Sequence, residues 1–144
     1  MDSNFRFLPL LALIALAGAG TADFANAADL SIEITGHQPS RGKLRVALFG
    51  DSASFLATPL KTAESSAAAD PALLVFRDLP AGMYALSAYQ DDNGNNKLDR
   101  GTFNIPVERH GFSRDARGDG GPPAFRDAQI ELREPAVKYS IKLR

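Results

Sequence analysis

Between Asp91 and Asp99 the chain reads Asp-Asp-Asn-Gly-Asn-Asn-Lys-Leu-Asp. Counting Asp91 as position 1, side-chain oxygens fall at positions 1, 3, 5 and 9, on Asp91, Asn93, Asn95 and Asp99. That is the spacing of the first part of an EF-hand-type calcium loop. In a tightly turning loop alternate side chains converge, and calcium asks for six to eight oxygens from carboxylates, amides and carbonyls. The expected ligands are Asp91, Asn93, Asn95, the Lys97 carbonyl and Asp99, with Leu98 anchoring the loop to a core. Asn96 takes the sharp-turn position, where Asn tolerates positive φ better than most residues. Thr102 stands at position 12 in place of a bidentate Glu, and the flanks read as strand and coil. The segment is therefore not a complete EF-hand. Two carboxylates among the ligands imply modest affinity, and Asp92 or Glu108 are candidates to complete the shell. The same residues also suit a polar Asx-turn loop with no ion.

Other chemistry is sparse. Cysteine is absent and there are 2 histidines, which excludes thiolate sites, a cysteine nucleophile, disulfides and a three-histidine metal site. His110 lies beside Glu108 and Arg109 and is followed by Gly111-Phe112-Ser113. A small hydrolase using His110 and Ser113 is the alternative reading. There is no G-x-S-x-G motif, and a triad is recognised by geometry rather than by order in the chain. His37 precedes Pro39 in a turn and reads as structural. The glycines at 94 and 118–121 make no phosphate loop, since no G-K-[ST] or helix follows. Asp91 and Asp99 as a glycosidase pair are better explained by an ion, given Asn93 and Asn95 between them. The reading favoured is that the protein is not an enzyme, with no catalytic residue assigned.

The elements that must position these groups are strands. Leu30, Ile32 and Ile34 alternate with polar neighbours, as do Leu44, Val46 and Leu48. With a Gly/Pro turn from Gly36 to Gly42 between them, these two runs are expected to form a hairpin. Ser52 is expected to cap a short helical turn through Phe55 and Leu56, and Ser65 to Ala69 to form an exposed loop. Ala72 to Phe76 is an apolar run of strand length, and Asp78 to Gly82 is a turn. From Met83 to Tyr89 alternation resumes, with Tyr84, Leu86 and Ala88 on one side. Ala128, Ile130 and Leu132, and then Val137, Tyr139, Ile141 and Leu143, supply the last two strands. About seven short strands without helical periodicity predict an all-β, antiparallel β-sandwich. The segment from Gly101 to Phe125 is about 25 residues long, a length that in a compact domain is usually functional. Phe103, Ile105, Phe112 and Phe125 are expected to pin it to the sandwich, or to offer a binding surface.

Residues 1–27 read as a secretory signal peptide. Arg6 provides the positive start, Phe7 to Ala19 the apolar stretch, and Ala25-Asn26-Ala27 the small-x-small cleavage site. The stretch falls short of the ~20 residues a membrane span needs. A single domain over 28–144 follows, with no membrane span and a periplasmic or secreted location. Hydrophobic residues make up 44% and charged residues 23%, which is ordinary globular composition. Lys plus Arg is 16, Asp plus Glu is 17 and the net charge is -1, so there is no electrostatic footprint for nucleic acid.

Three runs in order carry a family resemblance. They are Leu79-Pro80-x-Gly82-x-Tyr84-Ala85, Asp91-x-Asn93-x-Asn95-x-x-Leu98-Asp99, and Ile105-Pro106-x-Glu108-x-x-Gly111-Phe112-Ser113. Together they resemble domain-of-unknown-function family 2141, exported bacterial proteins. Asn96 stands where Gly is common, and Arg114 to Gly121 is a local variant. The resemblance implies a small extracytoplasmic sandwich of prealbumin-like or Ig-like type, and brings no activity with it. The expected role is a non-enzymatic binding or structural module of the cell envelope. Calcium would order the long loop toward a cell-envelope protein or glycan.

Overall fold

The computed structural model describes residues 27–144. The expected leader, residues 1–27, lies outside the described residues except for Ala27. Among the described residues, eight strands form two sheets: β1 (Ala27–Thr35), β2 (Lys43–Phe49), β3 (Lys61–Ser66), β4 (Ala72–Pro80), β5 (Gly82–Asp91), β6 (His110–Phe112), β7 (Gln129–Leu132) and β8 (Ala136–Lys142). One sheet has the order β4-β1-β8; the other runs β3-β2-β5-β6, with β7 also on β5. All pairings between strands are antiparallel except β1 with β8, which is parallel. No helix among the described residues is long and apolar enough to cross a membrane.

Alternation explains the sandwich. Leu30, Ile32 and Ile34 on β1, Leu74 and Phe76 on β4, and Ile141 on β8 point inward from one sheet. Leu44, Val46 and Leu48 on β2, Tyr84, Leu86 and Ala88 on β5, and Ile130 and Leu132 on β7 meet them from the other. Each fully buried Leu or Ile of this set contributes roughly 1.5–3 kcal/mol by leaving water.

Three sequence expectations need correction. The β1 and β2 runs are not a hairpin, because they belong to different sheets and the turn between them crosses over the core. Period two says which face of a strand is buried, but not which strand is its neighbour. The crossing is tight: a Cβ on Gly42 would meet Asp91 O at 2.0 Å, and its φ is +59°. Ser52 caps no helix. The Asp51 carboxylate accepts from Ser54 N (2.8 Å) and forms a turn instead. Finally, β3 runs into the segment expected to be loop. It is an edge strand whose polar residues, Lys61 to Ser66, show no apolar alternation.

The long segment is anchored by aromatics. Phe55 packs on Phe49 and Phe125 at centroid distances of 5.3 and 5.7 Å, and on Phe112 at 6.4 Å. Phe112 and Phe125 pin the segment as expected. Phe103 and Ile105 do not; they are exposed at 91% and 60%.

Candidate functional site

β5 delivers Asp91 to the end of its sheet, where the loop folds back over it. The Asp91 side chain is completely buried. Its Oδ1 accepts from Gly94 N (2.8 Å) and Asn95 N (3.1 Å). Its Oδ2 accepts from Asn96 N (2.9 Å) and from Arg45 Nε (2.8 Å). Gly94 and Asn96 hold positive φ (75° and 65°), which lets the loop wrap around one carboxylate. Burial pushes the Asp91 carboxyl up, but the Arg45 hydrogen bond and the Asn96 and Gly94 N–H groups outweigh it and hold the carboxyl below its usual range. The partner Arg45 is correspondingly raised, first by its bond to Asp91.

Above Asp91 the other expected ligands converge. Asn93 Nδ2 donates to Asp99 Oδ2 (2.6 Å), and Asn95 Nδ2 donates to Asp99 Oδ1 (2.7 Å). Asn93 Oδ1 accepts from Asn95 N (3.1 Å) and Asn95 Oδ1 from Lys97 N (2.9 Å), two successive Asx-turns. Asn93, Asn95 and Asp99 therefore meet around one point over the buried Asp91. Lys97 contributes its backbone to the last of these turns. Among the described residues no three His, Cys, Asp or Glu side chains group closely enough to hold a metal. The two amides face Asp99 with their nitrogens and give their oxygens to backbone N–H groups, so an ion here would require both amides to turn over and would then rest on amide and carbonyl oxygens as much as on carboxylates. That donor chemistry fits calcium, which accepts all three.

Two residues complete the arrangement. Glu108 is nearly buried and accepts from Asp92 N (2.8 Å) and Asp99 N (2.9 Å), closing the loop at both ends. Arg45 links Asp91 to Glu64 (3.0 Å) and to the Asn96 side chain. Sequence reasoning offered Glu108 as a neighbour and missed Arg45. The only signal for Arg45 was its outward position on β2, two residues from Lys43, the register partner of Asp91, and so on the same face.

From Asp99 the chain makes a small hairpin. Val107 N donates to Asp99 O (2.9 Å), Gly101 N donates to Ile105 O (2.8 Å), and Arg100 pairs with Pro106. Arg100 Nη1 ties the tip to Asn104 O (2.9 Å). The hairpin carries Phe103, Ile105 and Val107 into solvent. Beneath it, Gln90 is buried and holds the turn between β1 and β2, donating to Gln38 O and Arg41 O and accepting from Gln38 N.

The hydrolase residues are not assembled. Ser113 is fully buried. β5 pairs with β7 up to Ala85 and with β6 from Ser87, so Leu86 falls in the gap between them. The Ser113 hydroxyl fills that gap, accepting from Leu86 N (2.9 Å) and donating to Ala128 O. His110 turns its Nδ1 toward Glu108 O (3.2 Å) instead. His37 is buried, with Nε2 against Ala69 O (2.8 Å), a structural histidine.

A family model described as "Uncharacterized protein conserved in bacteria (DUF2141)" matches residues 32–140. No curated protein and no solved structure matches the chain.

Proposed function

The chain belongs to this bacterial family, and from the geometry of the Asp91 loop together with the leader pattern we propose that it is an exported, non-enzymatic binding or structural module with a calcium-responsive loop. The observation that carries the reading is the convergence of the Asn93, Asn95 and Asp99 side chains over the buried Asp91, where turning over the two amides that now donate to Asp99 would present their oxygens to an ion. Calcium would be held by Asp99, Asn93, Asn95 and the Lys97 carbonyl, with Asp91 at the base. It would supply charge neutralisation and a cross-link in a loop that has no disulfide. Arg45 already balances the Asp91 charge, so the affinity is modest. Glu108 carries the order of the loop into the hairpin, through its bonds to the Asp92 and Asp99 N–H groups. The hairpin then offers Phe103, Ile105 and Val107 to a cell-envelope protein or glycan. The periplasmic or secreted location rests on the signal-peptide pattern of residues 1–27. The burial and full engagement of Ser113 support the non-enzymatic reading over a hydrolase using His110 and Ser113.

The test is thermal unfolding in EDTA and then in millimolar calcium, with magnesium as control. At 100 times the dissociation constant, linkage gives about 2.7 kcal/mol, a midpoint rise of roughly 5–15 °C. Asp99→Asn should lose the calcium response and keep the midpoint in EDTA. A wild-type midpoint indifferent to calcium overturns the reading.

A further inference from the structure

A cleft of about 500 Å³ opens beside the hairpin, with Asp92 and Glu108 in its wall. Arg41, Arg109, His110 and Arg144 line it, and Pro106 and Val107 form an apolar edge. These residues arrive from the β1–β2 turn, the start of β6 and the end of the chain's last strand, so the fold rather than the sequence brings them together. Three guanidinium groups around so small a space repel one another unless acids balance them. Of the acids of the wall, Glu108 is engaged through both oxygens and Asp92 through one. Glu108 gives one oxygen to Asp92 N and the other to Asp99 N. Asp92 gives Oδ2 to Arg41 Nε (3.2 Å), and its Oδ1 is closed off from solvent. Arg109 meets only a carbonyl, Gly36 O (3.0 Å), and Arg144 reaches Asp115 at a long 3.5 Å. Asp92 Oδ1 has no partner but is shut away from the cleft's solvent, so the cleft holds more guanidinium N–H donors than accessible acceptors.

We propose that this cleft binds a small oxyanion, a carboxylate or phosphate group, with Pro106 and Val107 covering a short carbon portion of its bearer. Guanidinium forks match both oxyanions bidentately, and the volume falls in the range of small-molecule sites. The cleft shares Asp92 and Glu108 with the calcium loop, but none of its cationic side chains touches the Asp91 oxygens and its test runs without calcium, so the two readings can fail separately.

The experiment uses the full chain in EDTA at constant ionic strength, replacing chloride with inorganic phosphate in one arm and succinate in the other. The readouts are the unfolding midpoint and the His110 ring resonances. At least one anion should raise the midpoint and shift those resonances saturably, and the responding arm identifies the phosphate or the carboxylate. Arg109→Gln should weaken that binding about tenfold, the factor for one charge-assisted contact. Arg144→Gln tests the same site without touching the Gly36 contact, and should weaken binding similarly. Arg126→Gln, on an exposed turn away from the cleft, should change nothing. The proposal fails if neither anion differs from chloride, or if both cleft variants bind as tightly as the wild type.

Discussion

Replacing Asp91 with alanine removes one carboxylate from four donors at once. Three are loop N–H groups, of Gly94, Asn95 and Asn96, and the fourth is Arg45 Nε. The three loop residues are exposed, so water recovers much of each lost bond. The residual loss is about 0.5–1 kcal/mol per amide. Arg45 keeps Glu64 at 3.0 Å, which limits its own loss to about 1 kcal/mol rather than the 3–5 of a fully stranded buried charge. The sum is about 2.5–4 kcal/mol, or about 8–20 °C in midpoint for a domain of this size. Asp91→Asn should recover little of that. Its amide keeps one acceptor but turns a donor toward Arg45 and the Asn96 N–H. Urea unfolding in EDTA, followed by circular dichroism, gives the free energy directly. A change below about 1 kcal/mol for Asp91→Ala would refute the view that this carboxylate organises the loop.

Acid should destabilise the protein through the same group. Asp91, Glu64, Glu131 and Asp51 all sit below their usual range in the folded state. Depressed carboxyls contribute stability that is present above their unfolded values near 4 and lost as pH falls through the folded ones. Urea midpoints should therefore be flat above about pH 5 and fall below about pH 4, less steeply in Asp91→Asn. Ser113→Ala should cost about 1–3 kcal/mol in the same assay, because it strands the buried Leu86 N–H in the gap of the ladder. Gly111→Ala should cost a similar ~1–3 kcal/mol, since its Cβ would meet Lys142 O at 2.6 Å and Ile141 Cγ2 at 3.1 Å. A midpoint within error of wild type for either variant would contradict the packing described.

Much of the sandwich was legible because a half-buried strand writes its face into the sequence. Leu30, Ile32 and Ile34, and Leu44, Val46 and Leu48, are inward as their alternation requires. The turn at Asn96 was legible too, because few side chains tolerate the φ of 65° that it holds. Edge strand β3 was not, because it buries little and so carries no apolar period. Nor was the placement of β1 and β2 in separate sheets, since neighbour choice depends on long-range pairing. Within the site, Asp91, Asn93, Asn95 and Asp99 announced themselves by local spacing. Arg45 and the three cleft arginines became visible only once register and topology placed them. Phe103 misled for the opposite reason: an aromatic is normally an anchor, and here it stands at a hairpin tip.

The parallel pairing of β1 with β8 has a consequence for synthesis on the ribosome. The middle strand of its sheet, β1, is made first, and one of its two neighbours is made last. Until Ala136–Lys142 has emerged, Asp29 to Thr35 lacks a partner along one whole edge, and Ile141 and Leu143 are missing from the core. The nascent chain therefore cannot close this sheet until Ala136–Lys142 has emerged, more than a hundred residues after the strand it pairs with.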